Sequence, residues 1–114
     1  MALSSEKRLK LARDFRAVSR SQRSVKEGKL LLKAKASLKS DSRFGIVIAK
    51  RVAKKAVDRN RLRRLLSEAL GAKKDSLLAY DIVLVALPGF SLQDLSEAQS
   101  IIEKLFLKAK ITQQ

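Results

Sequence analysis

The chain has 114 residues, 46% of them hydrophobic, with one Pro, four Gly, no Cys and no His, and a formal net charge of +15. That is the size of a single domain with enough apolar side chains for one core. It excludes a disulfide framework and a thiolate metal site, and no apolar run is long enough for a transmembrane helix.

The charge is segregated. Residues 1–64 carry 21 Lys+Arg against 5 Asp+Glu, a net of +16, whereas residues 65–114 carry 5 against 6, a net of −1. A charge that served only solubility would be spread along the chain. An excess confined to one part points to a surface that meets a polyanion.

In chain order, residues 1–8 are expected to be flexible and show no signal-peptide run. Lys7–Arg20 reads as a basic segment ending in a short helix. Leu9, Ala12, Phe15 and Val18 fall at helical spacing, and Arg13, Arg16 and Arg20 lie on other faces. Arg23–Glu27 can add a short strand. Leu30–Lys39 alternates with period two. Leu30, Leu32, Ala34, Ala36 and Leu38 point one way, and Leu31, Lys33, Lys35, Ser37 and Lys39 the other. Ser40-Asp41-Ser42 is the expected turn, and Arg43–Ala49 a β-branched central strand.

Ala56–Leu70 is predicted to be a helix with an apolar stripe of Leu62, Leu65, Leu66, Ala69 and Leu70, stopped by Gly71. Tyr80–Leu87 is a buried strand closed by Pro88-Gly89. Ser91 is expected to cap a last helix, with Asp94 in its first turn. Its packing side would be Leu92, Leu95, Ala98, Ile101, Ile102, Leu105 and Phe106. The order αβββαβα describes an α+β fold: one domain over residues 1–114, with a small mixed sheet of about four strands packed with three helices.

The densest feature is Lys50–Arg64, with eight Lys/Arg and one Asp. At about 100° per residue, Arg59, Asn60, Arg63, Arg64 and Ser67 fall on one side of the helix and the apolar stripe on the other. Arg61 and Glu68 lie between them and could pair. Guanidinium groups suit phosphate because a planar fork donates two parallel hydrogen bonds. Asn60 can both donate to and accept from a base edge or a 2′-hydroxyl. A plain solvated face would mix signs to limit self-repulsion, and this one does not.

These residues resemble the signature of the bacterial ribonuclease P protein family. The family's pattern is a Lys-Lys/Arg-Val start, a basic spacer, Ala-Val-x-Arg-Asn-Arg, an apolar residue, two basic, two apolar and Arg-Glu. Lys50, Arg51, Val52, Ala56, Val57, Arg59, Asn60, Arg61, Leu62, Arg63, Arg64, Leu65, Leu66 and Glu68 match it. Asp14-Phe15 with Val18 is similar to the family's N-terminal helix, and Tyr80-Asp81-Ile82-Val83 to the strand after the Arg-rich helix. Ser67, Ser19, Lys33 and Ala53 depart from it, where the family usually has Arg, an aromatic, an aromatic and Gly.

The resemblance implies an RNA-binding subunit of ribonuclease P, whose catalytic RNA removes the 5′ leader from precursor tRNA. It implies that Arg59, Asn60, Arg61, Arg63 and Arg64 contact that RNA and that Lys50, Arg51, Lys54 and Lys55 screen nearby phosphates. Phe15, Lys33 and Lys35 would contact the leader. It further implies a left-handed crossover around the Arg-rich helix, against the general right-handed rule. Mg²⁺ is expected in the holoenzyme, bound mainly by RNA, with a monomeric protein in the cytoplasm.

The residues themselves suggest no catalytic role for the protein. Asp14, Asp58 and Asp81 form no recognisable pair and read as turn, cap or solvated charges, whereas a protein two-metal nuclease needs several convergent carboxylates. The main alternative is a generic ribosome-associated or chaperone RNA-binding protein, which would share the charge without needing the Ala-Val-x-Arg-Asn-Arg core. A basic amphipathic helix on a membrane surface fits less well, because the Ile/Val-rich strands need a protein core.

Overall fold

Alternation along the strands determines which side of the sheet the helices cover. In a computed structural model, the residues described are 23–36, 43–73 and 80–110. They form β1 (Arg23–Glu27), β2 (Leu30–Ala36), β3 (Arg43–Val47), α1 (Ala56–Lys73), β4 (Tyr80–Ala86) and α2 (Leu95–Ala109). The sheet order is β1-β2-β4-β3, so β3, expected to be central, is an edge strand, and β2 and β4 take the central places because β2 hairpins to β1 and pairs along its whole length with β4. β1 and β4 each pair antiparallel with β2, and β3 runs parallel to β4. A parallel neighbour needs a crossover connection, and α1 lies within it. The expected N-terminal helix, residues 1–8 and the turn at residues 40–42 lie outside the described residues.

One face of the sheet presents Leu30, Leu32, Ala34, Phe44, Ile82, Leu84 and Ala86. These share a single core with Leu62, Leu65, Leu66, Ala69 and Leu70 of α1 and Ala98, Ile102, Leu105 and Phe106 of α2. Both helices therefore cover the same face. The opposite face carries the alternate residues: Leu31, Lys33 and Lys35 on β2, Asp81, Val83 and Val85 on β4, and Arg43, Gly45 and Val47 on β3. The basic face read from Leu30–Lys39 is thus the side of the sheet away from α1 and α2.

Two turns depend on glycine. Gly28, at φ +60°, opens the two-residue connection between Glu27 and Leu30, where hairpin turns that match the strand twist need a left-handed residue. Pro88-Gly89 ends β4 as expected. Gly89 sits at φ +95° and the Phe90 N–H donates to the Leu87 carbonyl at 3.0 Å. Pro before a positive-φ Gly is the pattern of a type II turn.

Two helix boundaries differ from expectation. α1 continues through Gly71 to Lys73. Gly71 is buried and keeps a helical backbone, so it does not act as a left-handed stop. The last helix is capped by Asp94 rather than Ser91: Asp94 Oδ1 accepts from the Glu97 N–H at 2.9 Å. Asp94 with Glu97 three residues on is the better capping pattern. Leu92 is buried but precedes the helix.

The far end of α2 is tied to β1. Lys108 Nζ donates to Glu27 Oε1 at 2.8 Å and to the Lys26 carbonyl at 3.0 Å. That hydrogen bond and the ammonium charge hold the Glu27 carboxyl below its ordinary range, with Lys104 adding to the effect. A carboxylate depressed in the folded state stabilises at neutral pH, and the stabilisation disappears as pH falls through the depressed value. Thermal melts should therefore show Glu27→Gln less stable than wild type at pH 7. The gap should close on acidification below about pH 4.

Candidate nucleic-acid interface

The cationic surface starts at the end of β3. After the buried Ile48, the chain turns with the Val52 N–H donating to the Ala49 carbonyl at 3.0 Å. Lys55 then occupies the capping position of α1, its carbonyl accepting from the N–H groups of Asp58 (3.1 Å) and Arg59 (3.2 Å). Lys50, Arg51, Lys54 and Lys55 are all exposed on this connection.

Arg59 holds the connection against the helix. Its Nη1 donates to the carbonyls of Ala53 at 2.9 Å and Lys54 at 2.8 Å. Asn60, Arg63 and Arg64 are exposed on the next turn, and Arg63 Nη1 donates to Asn60 Oδ1 at 3.2 Å. Arg61 is half-buried and faces another way. Its Nη1 donates to the Leu92 carbonyl at 2.7 Å and its Nη2 to the Gln93 carbonyl at 2.6 Å. The anticipated pairing of Arg61 with Glu68 is therefore replaced by a contact with the approach to α2.

Carbonyl acceptors leave the charge intact. The ion pairs among the described residues are Arg43–Asp81, Lys73–Glu103 and Lys108–Glu27. None of them involves the eight cations of residues 50–64. The surface therefore keeps its full positive field, as a phosphate-binding face requires.

The far side of the sheet holds a second, smaller group. Lys33 is half-buried and Lys35 exposed, and Lys35 sits opposite Asp81 in the β2–β4 ladder. From the other side, Arg43 opposes Asp81 in the parallel β3–β4 ladder. Its Nε donates to Asp81 Oδ1 at 3.0 Å and its Nη2 to Oδ2 at 2.9 Å. Asp81 is 8% exposed. It is a buried, bidentately paired carboxylate, which corrects its reading as a turn, cap or solvated charge. Arg43 went unnoticed in the sequence because 38 residues separate it from Asp81 and only strand register brings them together.

Aromatic stacking has no platform among the described residues. Phe44, Phe90 and Phe106 are all in the core, and Tyr80 is half-buried against it. Phe15, expected to contact the leader, lies outside the described residues. Nor do three or more His, Cys, Asp or Glu side chains gather there in a group able to hold a metal. No helix among the described residues is long and apolar enough to cross a membrane.

A sequence model of the family described as Ribonuclease P matches residues 3–110. The chain belongs to the ribonuclease P protein family. The ribonuclease P protein component of Azotobacter vinelandii is 39% identical over 102 residues, covering 89% of this chain and 78% of that protein. The component from Pseudomonas fluorescens is 45% identical over 87 residues, covering 75% of this chain and 65% of its own length. Among solved structures, the RNase P protein of Staphylococcus aureus superposes with a TM-score of 0.84 at 24% identity, covering 93% of this chain and 97% of that one. That likeness shows the family's α+β fold with a four-stranded mixed sheet.

Proposed function

We propose that this chain is the RNA-binding protein subunit of a ribonuclease P and assists the catalytic RNA in removing the 5′ leader from precursor tRNA. The observation that carries the reading is the cationic face of α1 and its preceding loop, left without a carboxylate partner among the described residues. Arg59, Asn60, Arg63 and Arg64 meet the catalytic RNA, and Lys50, Arg51, Lys54 and Lys55 extend the field over neighbouring phosphates. Lys33 and Lys35, with Phe15, meet the leader on the opposite side of the sheet. The N-terminal helix and a left-handed β3–α1–β4 crossover belong to the same reading.

The protein binds and orients, and the phosphodiester is hydrolysed in the RNA with Mg²⁺ held mainly by RNA. The protein acts as a monomer in the cytoplasm. Reconstitution tests this reading. Purified chain added to a ribonuclease P RNA and precursor tRNA at low magnesium should stimulate cleavage at the 5′ end of the mature tRNA, and the chain alone should not cleave. RNA binding without stimulation would favour a general ribosome-associated or chaperone role instead.

A further inference from the structure

We infer that Arg61 is a positioning residue. Its guanidinium locks α1 to the approach of α2, and so aims Asn60, Arg63 and Arg64 at the RNA without itself touching RNA. The inference rests on the RNA-binding reading above but assigns Arg61 a different part in it from its neighbours.

The geometry is that of a clamp. Nη1 and Nη2 of one planar guanidinium donate at 2.7 and 2.6 Å to successive carbonyls, those of Leu92 and Gln93, which lie 31 and 32 residues away. These two carbonyls stand immediately before Asp94, whose carboxylate caps α2. The Leu92 side chain is itself seated in the core. The acceptor segment is therefore held from below by Leu92 and from ahead by the cap, so it gives Arg61 a fixed anchor.

A clamp matters here because most of the α1 packing near Arg61 is apolar, while the Lys73–Glu103 ion pair to α2, at 3.9 Å, lies at the opposite end of the helix. The contacts of Leu62, Leu65, Leu66, Ala69 and Leu70 fix which side of the helix meets the core, and the exact placement of the side-chain tips on the opposite side depends on the roll that remains. A pair of charge-assisted hydrogen bonds in fork geometry depends on direction. A roll of about 10° displaces a side-chain tip on the helix surface by about 1 Å. That is enough to misplace a guanidinium against a phosphate. Arg61 is half-buried, while Asn60, Arg63 and Arg64 are exposed, so the residue that limits the roll is distinct from those that use it.

The test compares Arg61→Ala and Arg61→Lys with Arg64→Ala in the full chain, measuring affinity for a ribonuclease P RNA transcript across a salt series. Lysine keeps the charge and loses the planar fork. Both Arg61 variants should weaken binding on the order of tenfold at every salt, giving lines parallel to wild type. Arg64→Ala should instead flatten the slope by about 0.7–0.9. Hydrogen exchange in the free protein provides the second readout. The Glu97 and Ala98 amides, in the first turn of α2, should exchange faster in both Arg61 variants and unchanged in Arg64→Ala.

If Arg61→Lys binds like wild type while Arg61→Ala flattens the slope by about one contact, Arg61 is an ordinary phosphate ligand and the inference is wrong. Unchanged affinity, or unchanged exchange at Glu97 and Ala98, overturns it equally. Should the alanine variant not fold, the lysine variant carries both measurements. If wild type binds no such RNA, the functional reading fails, and the exchange data still decide the clamp.

Discussion

Replacing Arg63 and Arg64 together by alanine should weaken binding to a ribonuclease P RNA roughly 25- to 60-fold at about 0.1 M salt and hardly at all at about 1 M. Each phosphate contact contributes about 0.7–0.9 to the slope of log affinity against log salt, because binding releases condensed counterions. Losing two contacts should flatten the slope by about 1.4–1.8. Both side chains are exposed and neither meets a carboxylate among the described residues. Their removal therefore leaves no buried group unpaired, and melting temperature should hardly move. A nitrocellulose-filter or fluorescence titration at four or more salt concentrations measures the effect. Equal losses at low and high salt would show that the arginines act through shape rather than charge.

The largest effect on stability is expected at the sheet face away from the helices. Asp81→Ala removes the carboxylate that holds Arg43 with two hydrogen bonds, on side chains only 12% and 18% exposed. The half-buried guanidinium would then lose both hydrogen bonds to the carboxylate, with Lys35 on the ladder position opposite residue 81. Breaking such a pair from one side costs about 2–4 kcal/mol, somewhat below a fully buried pair because some solvent reaches both groups. Replacing Arg43 by Met as well removes the charge that Asp81 neutralises, so Arg43→Met/Asp81→Ala should lose less than the two single losses added together. Urea unfolding of the two single variants and the double variant closes the cycle. Additive losses would mean that the pair contributes no coupling.

The reach of sequence reading differed among the elements, and the differences have physical causes. The apolar stripe of α1 was legible because a helix repeats every 3.6 residues and buries one side; all five of its expected residues are buried. The period-two pattern of β2 separated Leu30, Leu32 and Ala34 from Lys33 and Lys35 in the same local way. The strand at Arg23–Glu27 and the Pro88-Gly89 turn are likewise legible from local pattern. The cap of α2 lies three residues beyond the expected Ser91, at Asp94, because both residue types suit a helix start. The bond from the Glu97 N–H to Asp94 Oδ1 marks Asp94 as the cap. A glycine at a helix end often adopts positive φ, which predicts a stop at Gly71, yet its site in α1 is buried and helical.

The sequence by itself determined the charge segregation and the family, which need no contacts, and the two-sided helix and alternating strand, which depend on residues close together in the chain. Tertiary structure alone decided that Arg43 meets Asp81, that Arg61 grips the carbonyls before α2 instead of Glu68, and that the lysine face of β2 lies opposite the helices. Those outcomes rest on strand order, register and helix docking. They arise from summed, non-directional burial over the whole core, and no spacing between neighbouring residues encodes them.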